Sequence, residues 1–308
     1  MNRWWIYQKE RFPLLAHGPL VAAFSASAVS FSALLRGPGA RPAAAAALVA
    51  FATALTSFLQ LRIADEFKDA EEDARYRAYR PVPRGLVRLR ELAWIGAVAA
   101  AGQLGLCLWL GARGGGLRWQ LPALLLVTWG YFALMSREFF VRDWLKARPV
   151  VYLFSHMFIM PLIDWYATGC DWVPAGGAMP AGLFWFLAAS FCNGLVIELG
   201  RKIRAPGQEE AGVQTYSVLW GRAGATGAWL AALGATLVCA LCAARQIHFL
   251  PVVATGLGLL LAGGAGLGLA FVRTAHGKLA KGIELYSGLW TLALYLLLGV
   301  VPLALRAF

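Results

Sequence analysis

Nine apolar runs, each near the length that crosses a bilayer, leave this chain few ways to fold. They fall at 15–35, 43–64, 92–112, 119–136, 149–168, 181–200, 223–244, 247–271 and 285–305. A spanning helix needs about 20 mostly apolar residues, and a helix satisfies its backbone polar groups internally where water cannot. The expected fold is an all-α membrane protein, a bundle of about nine transmembrane helices. The fourth run is short, and the seventh and eighth are separated by little more than Arg245 and Gln246. Gly102 and Gly105 interrupt the third, which neighbouring helices accommodate. No low-complexity linker divides the chain, so residues 1–308 read as a single integral-membrane domain.

A net charge of +12 raises the question of a nucleic-acid partner. The distribution argues against one. With the N-terminus assigned to the cytoplasm, 22 of the 28 Lys and Arg lie on the inner side. Only Arg36, Arg41, Arg113, Arg118, Arg245 and Arg306 fall outside, a strong positive-inside bias. The expected location is a bacterial inner membrane, crossed many times, with the N-terminus and the long polar loops cytoplasmic and lipid as a partner. Charged residues are 14%, against roughly 25% in ordinary soluble domains. The first 18 residues contain two tryptophans and mixed charges but no short apolar core with a cleavage site, so they read as an interfacial segment. Trp4, Trp5, Trp94, Trp119, Trp144, Trp172 and Trp220 lie near span ends, as interfacial belts require.

The most chemically loaded segment is ADEFKDAEEDARYRAYRPVPRG, residues 64–85, just where the second run stops. Asp65, Asp69 and Asp73 recur every fourth residue, with Glu66 and Glu72 among them. On a helix advancing about 100° per residue they fan over roughly 80° of one face. Carboxylates so close repel one another, and divalent cations with oxygen ligands are the usual reason to gather them. Arg75, Arg77, Arg80 and Arg84 follow at once. Acid cluster plus arginines is what holds a metal-chelated phosphate. A solvated charged loop is the plain alternative, disfavoured by the regular spacing.

The second long polar segment, within 198–222, follows the sixth run as the first (62–91) follows the second. Four helices lie between, which suggests two related halves facing one cavity. Asn193 sits within the span, where an amide needs a polar partner or a cavity. Glu198 and Lys202 are one turn apart. Arg201, Lys202 and Arg204 can contact phosphate oxygens. Glu209 and Glu210 return acid to the loop.

On these residues the chain resembles the UbiA superfamily of intramembrane prenyltransferases. DEFKDAEED matches the family's Asp/Asn-rich first motif at Asp65, Glu66, Asp69 and Asp73, and RPVPRG follows it. Gly212 and Thr215 supply a Gly-x-x-Thr after the second motif. The resemblance covers the whole chain and implies a bundle around a central cavity, an isoprenoid diphosphate bound through Mg2+, and transfer of the prenyl group to a lipophilic, aromatic acceptor. It implies that Asp65, Asp69 and Asp73, with Glu66, ligate the metal. Arg75, Arg77, Arg80, Arg201, Lys202 and Arg204 would neutralise the diphosphate. Asn193, Tyr131 and Tyr152 would line the substrate site, with Phe132 and Trp185 as further aromatics. The second motif departs from the family's acidic pattern. Either its cations replace a second metal's charge, or Glu198 and Glu209 bind that metal in another geometry. A terpene cyclase of the same fold, needing no acceptor, is the next reading, and a non-catalytic lipid-binding protein or transporter the third.

Other features carry less. His156, on the fifth span, is read as a hydrogen-bonded residue before a base that deprotonates the acceptor. Asp164 is expected toward the outer end, structural or exposed. The four histidines are too scattered for zinc. Cys239 and Cys242 form a CxxC inside an apolar helix, read as packing. The glycines of GLGLLLAGGAGLGLA serve helix packing and not a dinucleotide. Arg137, Glu138, Arg142 and Asp143 form a third charged loop that either covers the site or lies plainly at the interface.

Overall fold

The computed structural model describes residues 2–113 and 115–306. An amphipathic helix α1 (Arg3–Arg11) precedes the first span, α2 (Leu14–Arg36). Then come α3 (Ala44–Lys68), the short α4 (Ala70–Tyr76), α5 (Leu89–Gly111) and α6 (Gln120–Ser136). A loop with the small helix α7 (Arg142–Lys146) leads to α8 (Pro149–Met157) and α9 (Ile159–Trp172), which together make one crossing. The chain finishes with α10 (Leu183–Arg201), α11 (Tyr216–Gln246), α12 (Leu250–Thr274), α13 (Gly277–Tyr295) and α14 (Val301–Leu305), the last two joined by a π-helical turn. Eight crossings are long and apolar enough to span, and α6 is a shorter apolar ninth, matching the nine runs in the sequence.

Boundaries moved where local chemistry overrode hydropathy. Gly221 adopts φ 70°, so residues 216–220 form a turn ahead of the crossing itself. α3 runs past its apolar run to Lys68, carrying the first acidic residues on the spanning helix. Pro302 has no N–H to return to Leu298, and the preceding turn, Leu296–Val300, widens to π geometry.

Neighbouring helices close a circuit. α2 meets α3 and α9; α3 meets α5 and α9; α5 packs on α6 and α6 on α9. α9 meets α10, α10 meets α11 and α13, α12 joins α11 to α13, and α13 with the π turn returns to α2. Lipid tails are as apolar as these side chains, so close backbone approach and polar contacts hold such a bundle. A Cβ on Gly299 would collide with the Ser27 backbone, and one on Gly268 would lie 2.9 Å from Thr226. The second of these supports the packing role expected for the glycines of α12.

Two polar clusters lie inside the apolar layer. Gln103 of α5 donates to Thr56 and to Gln60 of α3, each at 2.9 Å, and accepts from Trp129 of α6 at 2.8 Å. A pocket between α3, α6 and α9 opens beside it, lined by Ser57, Gln60, Leu61, Trp129, Phe132 and Ile163 among others. The second cluster decides between the two expectations for Asp164 in favour of the structural one. It is fully buried, and it accepts from the Tyr295 hydroxyl of α13 at 2.9 Å.

Gly299→Ala should lower the unfolding temperature in detergent, costing about 1–3 kcal/mol, because the opposing atoms are backbone. Gly258→Ala, with nothing within 4 Å, should be neutral or slightly stabilising.

Candidate functional site

The first motif lies at the end of α3, and there the expected continuous helix is broken. Asp69 leaves helical geometry (φ −95°, ψ 5°) and α4 starts one residue later. The i→i+4 links persist across the break: Asp69 N–H donates to the Asp65 carbonyl at 2.9 Å, and Asp73 N–H to the Asp69 carbonyl at 2.7 Å. The three aspartates therefore stay in one column, but their side chains meet different partners. Asp73 is 2% exposed, accepts from Arg80 Nη1 at 2.7 and 2.9 Å, and has Arg77 Nε at 3.0 Å. Arg77 and Arg80 are thereby engaged in folding the RPVPRG turn. Glu66, also 2% exposed, faces α1, between Arg11 and Arg62. Arg75 is exposed.

Asp65 and Asp69 remain. The Asp65 side chain is 37% exposed and has only long contacts, Arg62 at 3.7 Å and Lys68 at 3.9 Å. Asp69 makes no ion pair among the described residues, since the nearby cations serve Asp65 and Asp73. Burial first, and then the Asp65 charge, raise its pKa above the ordinary 3.8, with Lys68 only partly opposing.

The second segment supplies cations. Glu198, at the end of α10, is buried and holds Arg201 Nε and Lys202 Nζ, the latter at 2.7 Å. The two cationic side chains stay 46% and 37% exposed, and Arg201 lies within electrostatic reach of Asp65. Arg204 turns to Glu284 of α13 at 3.2 Å. Glu209 sits 2.8 Å from the Thr215 hydroxyl, which caps α11 by accepting from Val218 N–H. Asn193 is buried and accepts from Thr291 at 3.1 Å. The two polar segments touch directly. The Tyr79 hydroxyl donates to Glu210 at 3.2 Å. Gly212, at φ 76°, lies so near Tyr76 that a Cβ would be 2.6 Å from its ring.

Sequence reasoning passed over Lys68, although it stands inside the motif, three residues after Asp65. Its Nζ donates to the Tyr152 hydroxyl at 2.7 Å, and Tyr152 donates to Glu138 at 3.1 Å. Arg142 pairs with Glu138 at 2.9 Å, and Lys146 with Glu72 at 2.7 Å, so the third charged loop is tied to both α4 and α8. The hydrogen bond from Lys146 holds the Glu72 pKa below its usual value. Glu138, Phe139 and Phe140 all adopt positive φ, 49°, 53° and 60°. Such a left-handed turn costs roughly 1–2 kcal/mol per L-residue. Phe139 packing edge-on to Tyr131, at 5.5 Å between ring centroids, and the Glu138 pairs offset it. Tyr131 donates to the Ser155 carbonyl at 2.6 Å, which keeps it beside α8. Trp185 is partly exposed near the opposite end of α10. No third wall of acid closes around Asp65 and Asp69: among the described residues no three His, Cys, Asp or Glu side chains converge as a complete metal cage.

Metal-free Asp69→Asn protein should unfold at the same or a higher temperature than the parent, because it removes a half-buried charge with no ion pair among the described residues. The folded-state pKa is raised, so folding takes up protons as pH falls through it. The variant's advantage should therefore shrink on acidification and vanish near 3.8. Thermal melts in detergent across that range check the sign.

Comparison with known proteins follows the same outline. Residues 22–282 match the UbiA prenyltransferase family. No curated protein matches the sequence. Among solved structures, the apo structure of a UbiA homolog from Aeropyrum pernix K1 superposes with a TM-score of 0.67 at 14% identity, covering 95% of this chain and 99% of that one. A structure described as digeranylgeranylglyceryl phosphate synthase in membranes gives a TM-score of 0.58 at 11% identity, covering 99% and 100%. At these identities the likeness shows the fold, an integral multi-pass helical bundle. The family match extends over most of that bundle and over both polar segments, and the chain belongs to the UbiA prenyltransferase family.

Proposed function

We propose that the chain is a Mg2+-dependent prenyltransferase that ionises an isoprenoid diphosphate and passes the prenyl group to a lipophilic, aromatic acceptor. The observation that carries this reading is the pair Asp65 and Asp69, left short of positive charge at the end of a spanning helix, opposite the half-exposed Arg201 and Lys202. Mg2+ is bound through one or two carboxylates plus substrate phosphates and keeps several waters. That donor set fits these two aspartates, which would hold the metal, and it needs no complete protein cage. Bound there, the metal would supply positive charge to the leaving diphosphate.

The chain's own residues do the rest. Arg201 and Lys202, aimed by Glu198, contact phosphate oxygens as the allylic carbon–oxygen bond breaks and negative charge collects on the leaving group. Lys68 lies between Asp65 and Tyr152 and adds a third cation on the α3 side. Asp73, Glu66 and Glu209 act one step back, holding Arg77 and Arg80, Arg11, and Thr215 respectively. Leu61, Trp129, Phe132 and Ile163 line a small pocket of about 10 Å³ that begins one helical turn below Asp65; its apolar walls would have to part to admit the isoprenoid chain. The inner-side excess of Lys and Arg supports a cytoplasmic face for this site, in a bacterial inner membrane.

The test is diphosphate release by purified protein in detergent, offered C10, C15 and C20 allylic diphosphates with and without phenolic or quinonoid acceptors. Release that needs Mg2+ and yields a prenylated acceptor is the expected result. A cyclic terpene from donor alone would identify a cyclase, and silence with every donor would leave binding or transport. Mg2+ should raise the unfolding temperature of the parent and not of Asp65→Asn or Asp69→Asn. Lys202→Glu should slow release by an amount on the order of 2–4 kcal/mol, whereas Glu210→Gln, whose side chain accepts from the Tyr79 hydroxyl, should change it little.

A further inference from the structure

His156 stands at the junction of the charged cradle and the apolar pocket, and its ring is held in one orientation. Tyr152 stacks on it at 3.9 Å between centroids and 8° between planes. Phe139 meets it edge-on at 6.3 Å. Its Nδ1 lies 2.9 Å from the Tyr152 carbonyl oxygen, which can only accept, so Nδ1 carries the hydrogen. The lone pair of the neutral ring is therefore on Nε2. That atom is buried, in a residue only 8% exposed, and has no hydrogen-bond partner among the described residues. Lys68 of α3 donates to the hydroxyl of the Tyr152 ring stacked on the imidazole, which places His156 one residue layer from the α3 wall of the site. Ile159 and Ile163, which line the pocket, follow it by one and two turns. An orphaned acceptor in a dry setting is costly unless something with a proton to give comes to meet it.

We infer that His156 Nε2 is the group that takes the proton lost when the prenyl cation is quenched. The inference rests on the prenyltransferase reading above. The carbon–oxygen bond of the donor breaks with its electron pair leaving on diphosphate. A lone pair or ring carbon of the acceptor forms the new bond to the allylic carbon. The proton that the acceptor then gives up passes to Nε2, making an imidazolium that the Tyr152 carbonyl steadies through Nδ1–H. With no acceptor, the same atom would take a proton from carbon next to the cation, leaving an olefin.

The experiment measures how consumed donor divides between proton-loss products and the prenyl alcohol formed by water capture. Purified parent protein, His156→Asn and His156→Gln are given Mg2+, the three allylic diphosphates, and p-cresol or 1,4-dihydroxynaphthalene as acceptor probes. Asn keeps a donor where Nδ1 was, Gln keeps the reach of Nε2, and neither accepts a proton. In both variants the ratio of proton-loss product to alcohol should fall on the order of 10²-fold. An unchanged ratio in either folded variant overturns the inference, as does loss of donor cleavage itself, which would mark a role in ionisation or in holding the fold. Parent protein that yields alcohol alone also overturns it while leaving donor activation intact. Parent protein that cleaves no donor removes the prenyltransferase reading and this inference with it.

Discussion

Charge neutralisation at the C-terminal ends of α3 and α10 is the constraint around which this bundle is arranged. Carboxylates beside a low-dielectric layer must be paired or they oppose folding, and here the pairing is nearly complete. Glu66 takes Arg11 and Arg62, Asp73 takes Arg77 and Arg80, Glu198 takes Arg201 and Lys202, and Glu138 takes Arg142 and Tyr152. Arg11 with Glu66 joins elements distant in sequence, and the Asp73 and Glu138 pairs fix loops, whereas Glu198 holds its partners within a turn of its own helix end. Asp69 is left out, with Asp65 only loosely served. On the reading proposed above, this unbalanced pair inside a balanced shell is where Mg2+ would be held, and the surrounding pairs occupy the neighbouring arginines.

The two polar segments reach one another by different means. The first is turned by the break at Asp69 and the Asp73 pairs, the second by Thr215 and by Lys202, whose carbonyl accepts from Tyr216 N–H at 3.1 Å. They lock where Tyr76 covers Gly212, so the glycine is needed both for its positive φ and for the space that a side chain would take. The third loop adds strain at Glu138–Phe140, held by aromatic packing and ion pairs, and sets Tyr152 between Lys68 and Glu138. Strain of this kind persists only where its surroundings over-determine it. Its effect here is to fix the Tyr152–His156 stack against the acidic end of α3.

Much of this was legible in the sequence. Hydropathy alone located nine crossings, because bilayer thickness sets helix length and leaves the backbone no other way to bond. The spacing of Asp65, Asp69 and Asp73 singled out the segment proposed as the site, since like charges at helical intervals need a compensating reason. Close packing was legible for some of the α12 glycines, Gly263 and Gly268 among them, whereas Gly258 and Gly266 face open space. Less legible were roles that depend on who stands opposite. Asp164 could be structural or exposed on the sequence alone, and the packing of α9 against α10, with the Tyr295 hydroxyl of α13 reaching it, makes it structural. Lys68 looked like one charge among many until α8 placed Tyr152 against it.

The sequence by itself determined the number of crossings, the uneven division of Lys and Arg between alternate loops, and the two long polar segments, because each follows from local pattern and from the thickness of lipid. Only the tertiary structure decided which of the acids and bases are spent on one another and which stay available. That choice turns on contacts between residues scores of positions apart, such as Arg11 with Glu66 and Lys146 with Glu72, and on a one-residue helix break at Asp69. Periodicity records which residues share a face, whereas a partner is fixed only when another helix arrives within bonding distance.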